Sequence, residues 1–268
     1  MPLSAIQVSI LQTVAANRSP ESYLAGATVF HRSEGSPRYS QDIDLFHDVA
    51  DSVARSAELD AATLRGAGYV VQWLLQTPTF YRAVVSSGAE TMKMEWAQDT
   101  AFRFFPVQQD PACGYCLHVT DAAVNKLLAL AGRAEVRDFV DILHLQATHL
   151  SIGALAWAAC GKDPGYTPQF LLEHAGRHAC YTQEQVNRLN LLAPLDVRVL
   201  KRAWMAAVEE ARRLVDALPG HELGCLYLSQ GQVAVTPDPA SPDFATLRRH
   251  FGSVRGAWPT ISSYHDGV

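Results

Sequence analysis

At 268 residues, 48% of them hydrophobic and 18% charged, the chain holds one large domain or two smaller ones and buries a substantial core. A net charge of −5 excludes a general nucleic-acid coat, so any contact with nucleic acid needs a local basic patch. Five cysteines, an odd number with no spaced framework, fit a reducing cytosol better than a disulfide-built secreted scaffold.

Met1 to Asn17 lacks a charged leader and a small-residue cleavage site, so a cytoplasmic location is expected. Residues 3–16 have the period of an amphipathic helix. The small apolar stretch Leu24-Ala25-Gly26-Ala27-Thr28-Val29-Phe30 is interrupted by its glycine and opens a short helix. Gly35, Ser36 and Pro37 mark a turn before Arg38-Tyr39-Ser40-Gln41-Asp42-Ile43-Asp44-Leu45-Phe46. Ile43, Leu45 and Phe46 favour a buried strand. Side chains alternate along a strand, so Asp42 and Asp44 share a face, roughly 7 Å apart along the backbone. Two hard oxygen donors at that separation can share a divalent cation or bridge a pair roughly 4 Å apart. Two solvated surface acids are the plainer alternative.

Residues 48–66 are helical in period and end at Gly66 and Gly68. Three strand-like runs follow, Tyr69 to Leu75, Phe80 to Ser86 and Thr91 to Trp96. The last places Met92, Met94 and Trp96 on one face and Lys93 and Glu95 on the other. From Thr120 the period becomes 3.6. The pattern predicts a helix from Asp121 to Ala131, capped by Thr120 and stopped by Gly132, and another from about Arg133 to Leu150. Further helices are expected near 151–159, 167–177, 182–191 and 195–217. Residues 224–229 and 232–236 suggest a hairpin, and 237–242 separates a basic tail with Arg248, Arg249 and Arg255. The apolar run from Phe139 to Cys160 contains Asp141, His144, Gln146 and His149, which makes it a buried helix and not a membrane span.

Only four of the 22 basic residues are lysine, so each lysine position is worth reading. Lys126 lies among Val124, Leu127, Leu128 and Leu130; its ammonium either reaches a cleft, where it could grip phosphates, or joins a solvated helix face. Arg133, Arg137 and Asp141 share one helix stripe by i, i+4 spacing, with Asp138 beside it; a structural ion-pair ladder and a catalytic role are both open. Cys113-Gly114-Tyr115-Cys116 is a lone C-x-x-C without a second pair and is set aside as a zinc or redox site. Cys160-Gly161-Lys162-Asp163 is not a P-loop, because Ala156 stands where glycine is required and Asp163 replaces Ser or Thr.

A glycine turn, Ser-x-Asp-x-Asp, Lys-x-Glu, Asp-x4-Lys and Arg-x3-Arg-Asp-x2-Asp follow one another in that order. On Leu24 to Thr28, Arg38 to Phe46, Lys93 to Glu95, Asp121 to Lys126 and Arg133 to Asp141, the sequence resembles the AbiEii/AbiGii (MenT-like) toxin nucleotidyltransferases of the DNA polymerase β-like superfamily. The resemblance implies an α+β fold, with a nucleotidyltransferase mixed-sheet core over 1–118 and a mostly helical domain over 119–268 bearing the late hairpin. It implies transfer of a nucleoside monophosphate from an NTP to an RNA 3′ end, tRNA in the first place, with Mg2+ as cofactor and a cognate antitoxin protein as partner.

In that reading Asp42, Asp44, Lys126 and Asp138 are catalytic, and Asp42, Asp44 and Glu95 are metal ligands. Gly26, Ala27, Thr28, Arg38, Ser40, Lys93 and Arg137 bind the nucleotide. Glu95 could equally be a surface salt-bridge partner, and Ser40 and Arg38 could equally serve the turn. One departure is plain: the family usually has Gly-Gly-Thr or Gly-Ser where this chain has Gly26-Ala27-Thr28, which adds a methyl near the triphosphate. Two rival readings remain, the same fold acting on a protein or small-molecule hydroxyl, and a non-catalytic binding module.

Overall fold

The computed structural model describes residues 3–32, 35–133, 135–177 and 180–259. Helix α1 (Ala5–Val14) opens on a capping box, in which Ser4 Oγ accepts from Gln7 N and Gln7 Oε1 accepts from Ser4 N. Strand β1 (Ser22–Ala25) and the single turn α2 (Thr28–His31) follow, then β2 (Asp42–His47), α3 (Ala50–Gly66), β3 (Val70–Thr77), β4 (Phe80–Ser87) and β5 (Glu90–Gln98). The short strands β6 (Phe102–Arg103), β7 (Gln108–Asp110) and β8 (Gly114–Cys116) lead to the helices α4 (Val119–Gly132), α5 (Val136–Thr148), α6 (Ile152–Lys162), α7 (Pro168–Arg177), α8 (Gln183–Asn187) and α9 (Val197–Ala217). Three further strands close the described chain, β9 (Cys225–Leu228), β10 (Arg248–Phe251) and β11 (Ser253–Val254).

Seven strands form one mixed sheet in the order β3-β4-β5-β2-β1-β8-β7. The expected α+β class is therefore observed. β5 and β2 are parallel, whereas β1 and β2 and the β3-β4-β5 meander are antiparallel. The alternation read in the third run holds: Met92, Met94 and Trp96 are buried under α3, together with Ile43 and Leu45 of β2. Polar side chains of the same strands point to the opposite face, which α4 approaches. α4 is the hub of the helical part, packed against α5, α6 and α7, with α9 closing over α5 and α6.

Several sequence expectations need correction. The Leu24–Phe30 stretch is a strand before Gly26 and a helical turn after it; all four residues of β1 are buried, so no alternation announces the strand. α4 is capped not by Thr120 but by His118, whose side chain accepts from Thr120 N. The late hairpin survives only as a turn with one bridge, Leu228 to Ala234. The true partner of β9 is β10, built from residues assigned to a basic tail. The 118/119 division falls between β8 and α4, but β11 returns to pair with β6.

One buried ion pair fixes α3 to the sheet. Arg18 donates to Asp60, both side chains are wholly inaccessible, and Asp60 also accepts from Asn17 Nδ2 at 2.8 Å and Trp96 Nε1 at 2.7 Å. Asp60→Ala strips the buried Arg18 guanidinium of its countercharge, leaving it only the Ser22 and Ser56 hydroxyls, and leaves the Trp96 indole N–H unpartnered in the core. Urea unfolding should show a loss of about 3–5 kcal/mol; a loss below about 1 kcal/mol would mean that the pair does not anchor the helix.

Candidate active site

Strand pairing, not chain proximity, assembles the acidic wall. In the parallel register of β2 and β5, Asp42 lies opposite Lys93 and Asp44 opposite Glu95, and β4 sets Arg82 opposite Glu95. Lys93 Nζ sits between two carboxylates, 2.9 Å from Asp42 Oδ1 and 3.2 Å from Glu95 Oε1. Arg137 of α5 holds the other oxygen of Asp42 at 2.9 Å, and Arg82 holds Glu95 at 2.8 Å. Asp44, between them, has no ion-pair partner among the described residues. Burial and the neighbouring carboxylates of Glu95 and Asp42 push its carboxyl up to about 6.

Gly26 explains how Asp44 fits. Its φ is +65°, a left-handed conformation, and a Cβ built on it would lie 1.9 Å from Asp44 Oδ2. Ala27, by contrast, has φ −67°, an ordinary right-handed conformation, so the alanine found in place of a second glycine carries no backbone strain.

The opposite wall is cationic and rests on a buried network. Asp141 accepts from Arg38 Nε at 2.7 Å and Nη2 at 2.6 Å, from His31 Nε2 at 2.8 Å, and pairs with Lys126 Nζ at 3.1 Å. Asp138 pairs with Lys126 Nζ and Arg133 Nε, each at 2.8 Å. Burial alone would raise both carboxyls. Lys126 with His31 and Arg38 at Asp141, and Lys126 with Arg133 at Asp138, outweigh it and hold both below the usual carboxylate range. The i, i+4 ladder that spacing left open as one alternative is not there: Arg133 lies before α5, and Asp141 pairs with α4, α2 and the loop before β2.

Between the two walls lies a cavity of about 280 Å³, bordered by Gly26, Ala27, Arg38, Ser40, Asp42, Asp44, Glu95, Lys126, Arg133 and Arg137 among the residues singled out from sequence. Asn125, Gln41, Phe46 and Phe80 also border it and were not anticipated. Phe46 could have been, since it follows Asp44 by two on the same strand. Of the remaining predicted residues, Lys93 touches the acidic wall from beside it. Thr28 is fully buried, its hydroxyl 2.9 Å from both Ser40 Oγ and the Asp42 carbonyl. Asp138 is also fully buried, so it positions Lys126 and Arg133 from behind the cavity wall. Arg38 directs its guanidinium at Asp141, which makes it a strut of the cationic wall.

The profile of the family described as Nucleotidyl transferase AbiEii toxin, Type IV TA system, matches residues 9–216. The chain belongs to that family. As an AbiEii protein it is a nucleotidyltransferase toxin of a type IV toxin-antitoxin system, with a nucleotide as substrate and an antitoxin as counterpart. No curated protein matches the sequence. Its fold is similar to that of MenT4, a nucleotidyltransferase toxin from Mycobacterium tuberculosis H37Rv, at a TM-score of 0.56 and 16% identity over 81% of this chain and 83% of that one. A protein from H. pylori assigned as a nucleotidyltransferase is similar at a TM-score of 0.50 and 16% identity, over 81% of this chain and 95% of that one. Likeness at this identity speaks to the fold alone.

Among the described residues of this AbiEii protein, no three His, Cys, Asp or Glu side chains converge as a ready-made metal cage. The donor set that fits a hard divalent cation is Asp42 and Asp44 with Glu95. Like-charge crowding at Asp44 is the kind of strain that a bound cation relieves. Lys93, wedged between Asp42 and Glu95, has to swing aside if Glu95 is to serve as a ligand. No helix among the described residues is long and apolar enough to cross a membrane.

Proposed function

We propose that this AbiEii nucleotidyltransferase acts in the cytoplasm, transferring a nucleoside monophosphate from an NTP to the 3′-terminal hydroxyl of an RNA, tRNA in the first place, and thereby blocking translation. The observation that carries this reading is the facing of the Asp42–Asp44–Glu95 wall and the Lys126–Arg133–Arg137 wall across one cavity. A bound divalent cation, Mg2+ in this proposal, would supply charge neutralisation and activation of the attacking hydroxyl from Asp42 and Asp44, with Glu95 as a third donor. The chain's own part is positioning and electrostatics. Gly26 lets the backbone and Asp44 approach closely, and Lys126 and Arg137 present positive charge to a polyphosphate. The network of His31, Arg38, Asp138 and Asp141 holds Lys126 rigid, so little reorganisation is needed during transfer. The acceptor hydroxyl releases its proton to solvent as its oxygen attacks the α-phosphorus, the bond to the α,β-bridging oxygen breaks, and pyrophosphate leaves.

The test is incubation of the purified protein with each labelled NTP, Mg2+ and total RNA. Label should appear on RNA, disappear when the RNA 3′ diol is first oxidised with periodate, and be absent with Asp42→Ala. Absence of transfer with every NTP would overturn the reading, as would full activity of Asp42→Ala. The net charge of −5 builds no general RNA-binding surface and favours, as a second reading, a protein or small-molecule hydroxyl as acceptor. In that case the label in the same reaction leaves the RNA fraction.

A further inference from the structure

The C-x-x-C motif has no part in the cavity, yet its surroundings are specific. The turn between β7 and β8 carries Cys113 and leads into Cys116. It is shaped by Gly114 at φ +80°, where a Cβ would meet the Ala15 carbonyl oxygen at 2.2 Å. Asp110 Oδ1 accepts from Ala112 N at 2.9 Å and Cys113 N at 3.1 Å. The other Asp110 oxygen holds Arg32 Nη1 at 2.6 Å. So oriented, the Arg32 guanidinium faces both sulfurs, 3.7 Å from Cys113 Sγ through Nη1 and 3.3 Å from Cys116 Sγ through Nη2. Both cysteines are almost fully buried, but Cys116 borders a surface cavity of about 210 Å³ shared with Val29, Arg32 and Asp110, large enough for a small oxidant to enter.

We propose that Cys113 and Cys116 are a redox-modification site for peroxides, with Cys116 as the reacting thiolate, Cys113 as the resolving thiol and Arg32 as the cation that serves both. The two thiols are unequal. A hydrogen bond from Cys113, with Arg32 close by, holds the Cys116 thiol below its ordinary value against the effect of burial, whereas that hydrogen bond and burial push Cys113 up. Elsewhere, burial pushes Cys160 up to about 12 and Cys225 up to about 11, so neither competes as a nucleophile.

In the first step the Cys116 thiolate attacks a peroxide oxygen, the O–O bond breaks, and hydroxide leaves to be protonated to water. In the second, Cys113 sulfur attacks the sulfur of the resulting sulfenic acid, the S–OH bond breaks, and a second water leaves with the proton of Cys113. Two thiols and one hydrogen peroxide thus give one disulfide and two waters.

The full-length chain, reduced and then exposed to hydrogen peroxide, is blocked with a maleimide and mapped by peptide mass spectrometry. The peptide carrying Cys113 and Cys116 should be lighter by two hydrogens and unlabelled, and dithiothreitol should restore both thiols; Cys160 and Cys225 should remain thiols throughout. Cys113→Ser should leave a sulfenic acid at position 116 that dimedone traps, and Cys116→Ser should leave Cys113 unreacted. Arg32→Gln should slow the first step about tenfold or more. Unchanged labelling after peroxide overturns the proposal, as does equal oxidation of Cys113 in Cys116→Ser. Stoichiometric zinc on the two sulfurs of the purified protein, seen by elemental analysis, also overturns it. The serine variants keep the test decisive if Arg32→Gln does not fold. None of these readouts depends on nucleotide transfer.

Discussion

Asp44→Asn is expected to reduce nucleotide transfer by on the order of 10³-fold or more while making the metal-free protein harder to unfold. Activity falls because the amide cannot supply the second anionic oxygen donor of the acidic wall. Stability rises because the folded protein buries the Asp44 carboxylate and holds it against Glu95 and Asp42, which together push the carboxyl up to about 6. The shift raises the folded value above the unfolded one, so the ionised group destabilises the fold. That destabilisation is complete above about pH 6, and it vanishes as pH falls below the ordinary aspartate value of 3.8, where the carboxyl is protonated in both states. For a sealed site it would reach about 3 kcal/mol; the opening onto the cavity screens it to roughly 1–2 kcal/mol. At about 2–4 °C of Tm per kcal/mol for a chain of this size, the gain is readable. Thermal unfolding in a chelator should therefore show Asp44→Asn above wild type at pH 7.5 and level with it near pH 3.5. Adding Mg2+ should raise the Tm of wild type and not that of the variant. A variant that unfolds below wild type at pH 7.5 would show that Asp44 is a structural acid.

Gly26→Ala is expected to abolish transfer almost as completely, by the opposite route. The left-handed backbone costs a Cβ-bearing residue about 1–2 kcal/mol. The new methyl would also occupy the place of Asp44 Oδ2, which lies 1.9 Å from an ideal Cβ there. Either the carboxylate turns away or β1 separates from β2 at the Ala25–Asp44 pair. The prediction is a Tm lowered by several degrees and loss of label transfer by at least about 10²-fold. Ala27→Gly is the control: it relieves no strain at φ −67° and should retain transfer within about threefold. If Gly26→Ala remains active, the glycine is only a turn residue.

How much of this was legible in the sequence differs between the two walls. The acidic wall follows from period 2: Asp42 and Asp44 on one side of a strand with Ile43 and Leu45 on the other, and Lys93 and Glu95 opposite Met92, Met94 and Trp96. The sequence could not say that β2 and β5 lie side by side and parallel, because pairing between strands separated by a long helix and a hairpin leaves no local mark. The cationic wall shows the reverse case. Spacing put Arg133, Arg137 and Asp141 on one stripe, but Arg133 falls outside α5 and Asp141 is claimed by His31, Arg38 and Lys126. Long side chains choose partners in three dimensions, and a burial that must be neutralised overrides i, i+4 proximity.

By itself the sequence determined the alternation of the strands of the acidic wall, most helix positions, the glycine before α2 and the order of motifs that marks the family, because each is set by chemistry within a few residues. Tertiary structure alone decided that Asp138 and Thr28 stand behind the cavity, that Arg38 at its edge directs its guanidinium at Asp141, that β9 pairs with β10, and that Arg32 reaches both thiols of the C-x-x-C turn. Those outcomes depend on which buried charges and backbone edges find complements across the fold, and only packing the whole chain resolves that competition.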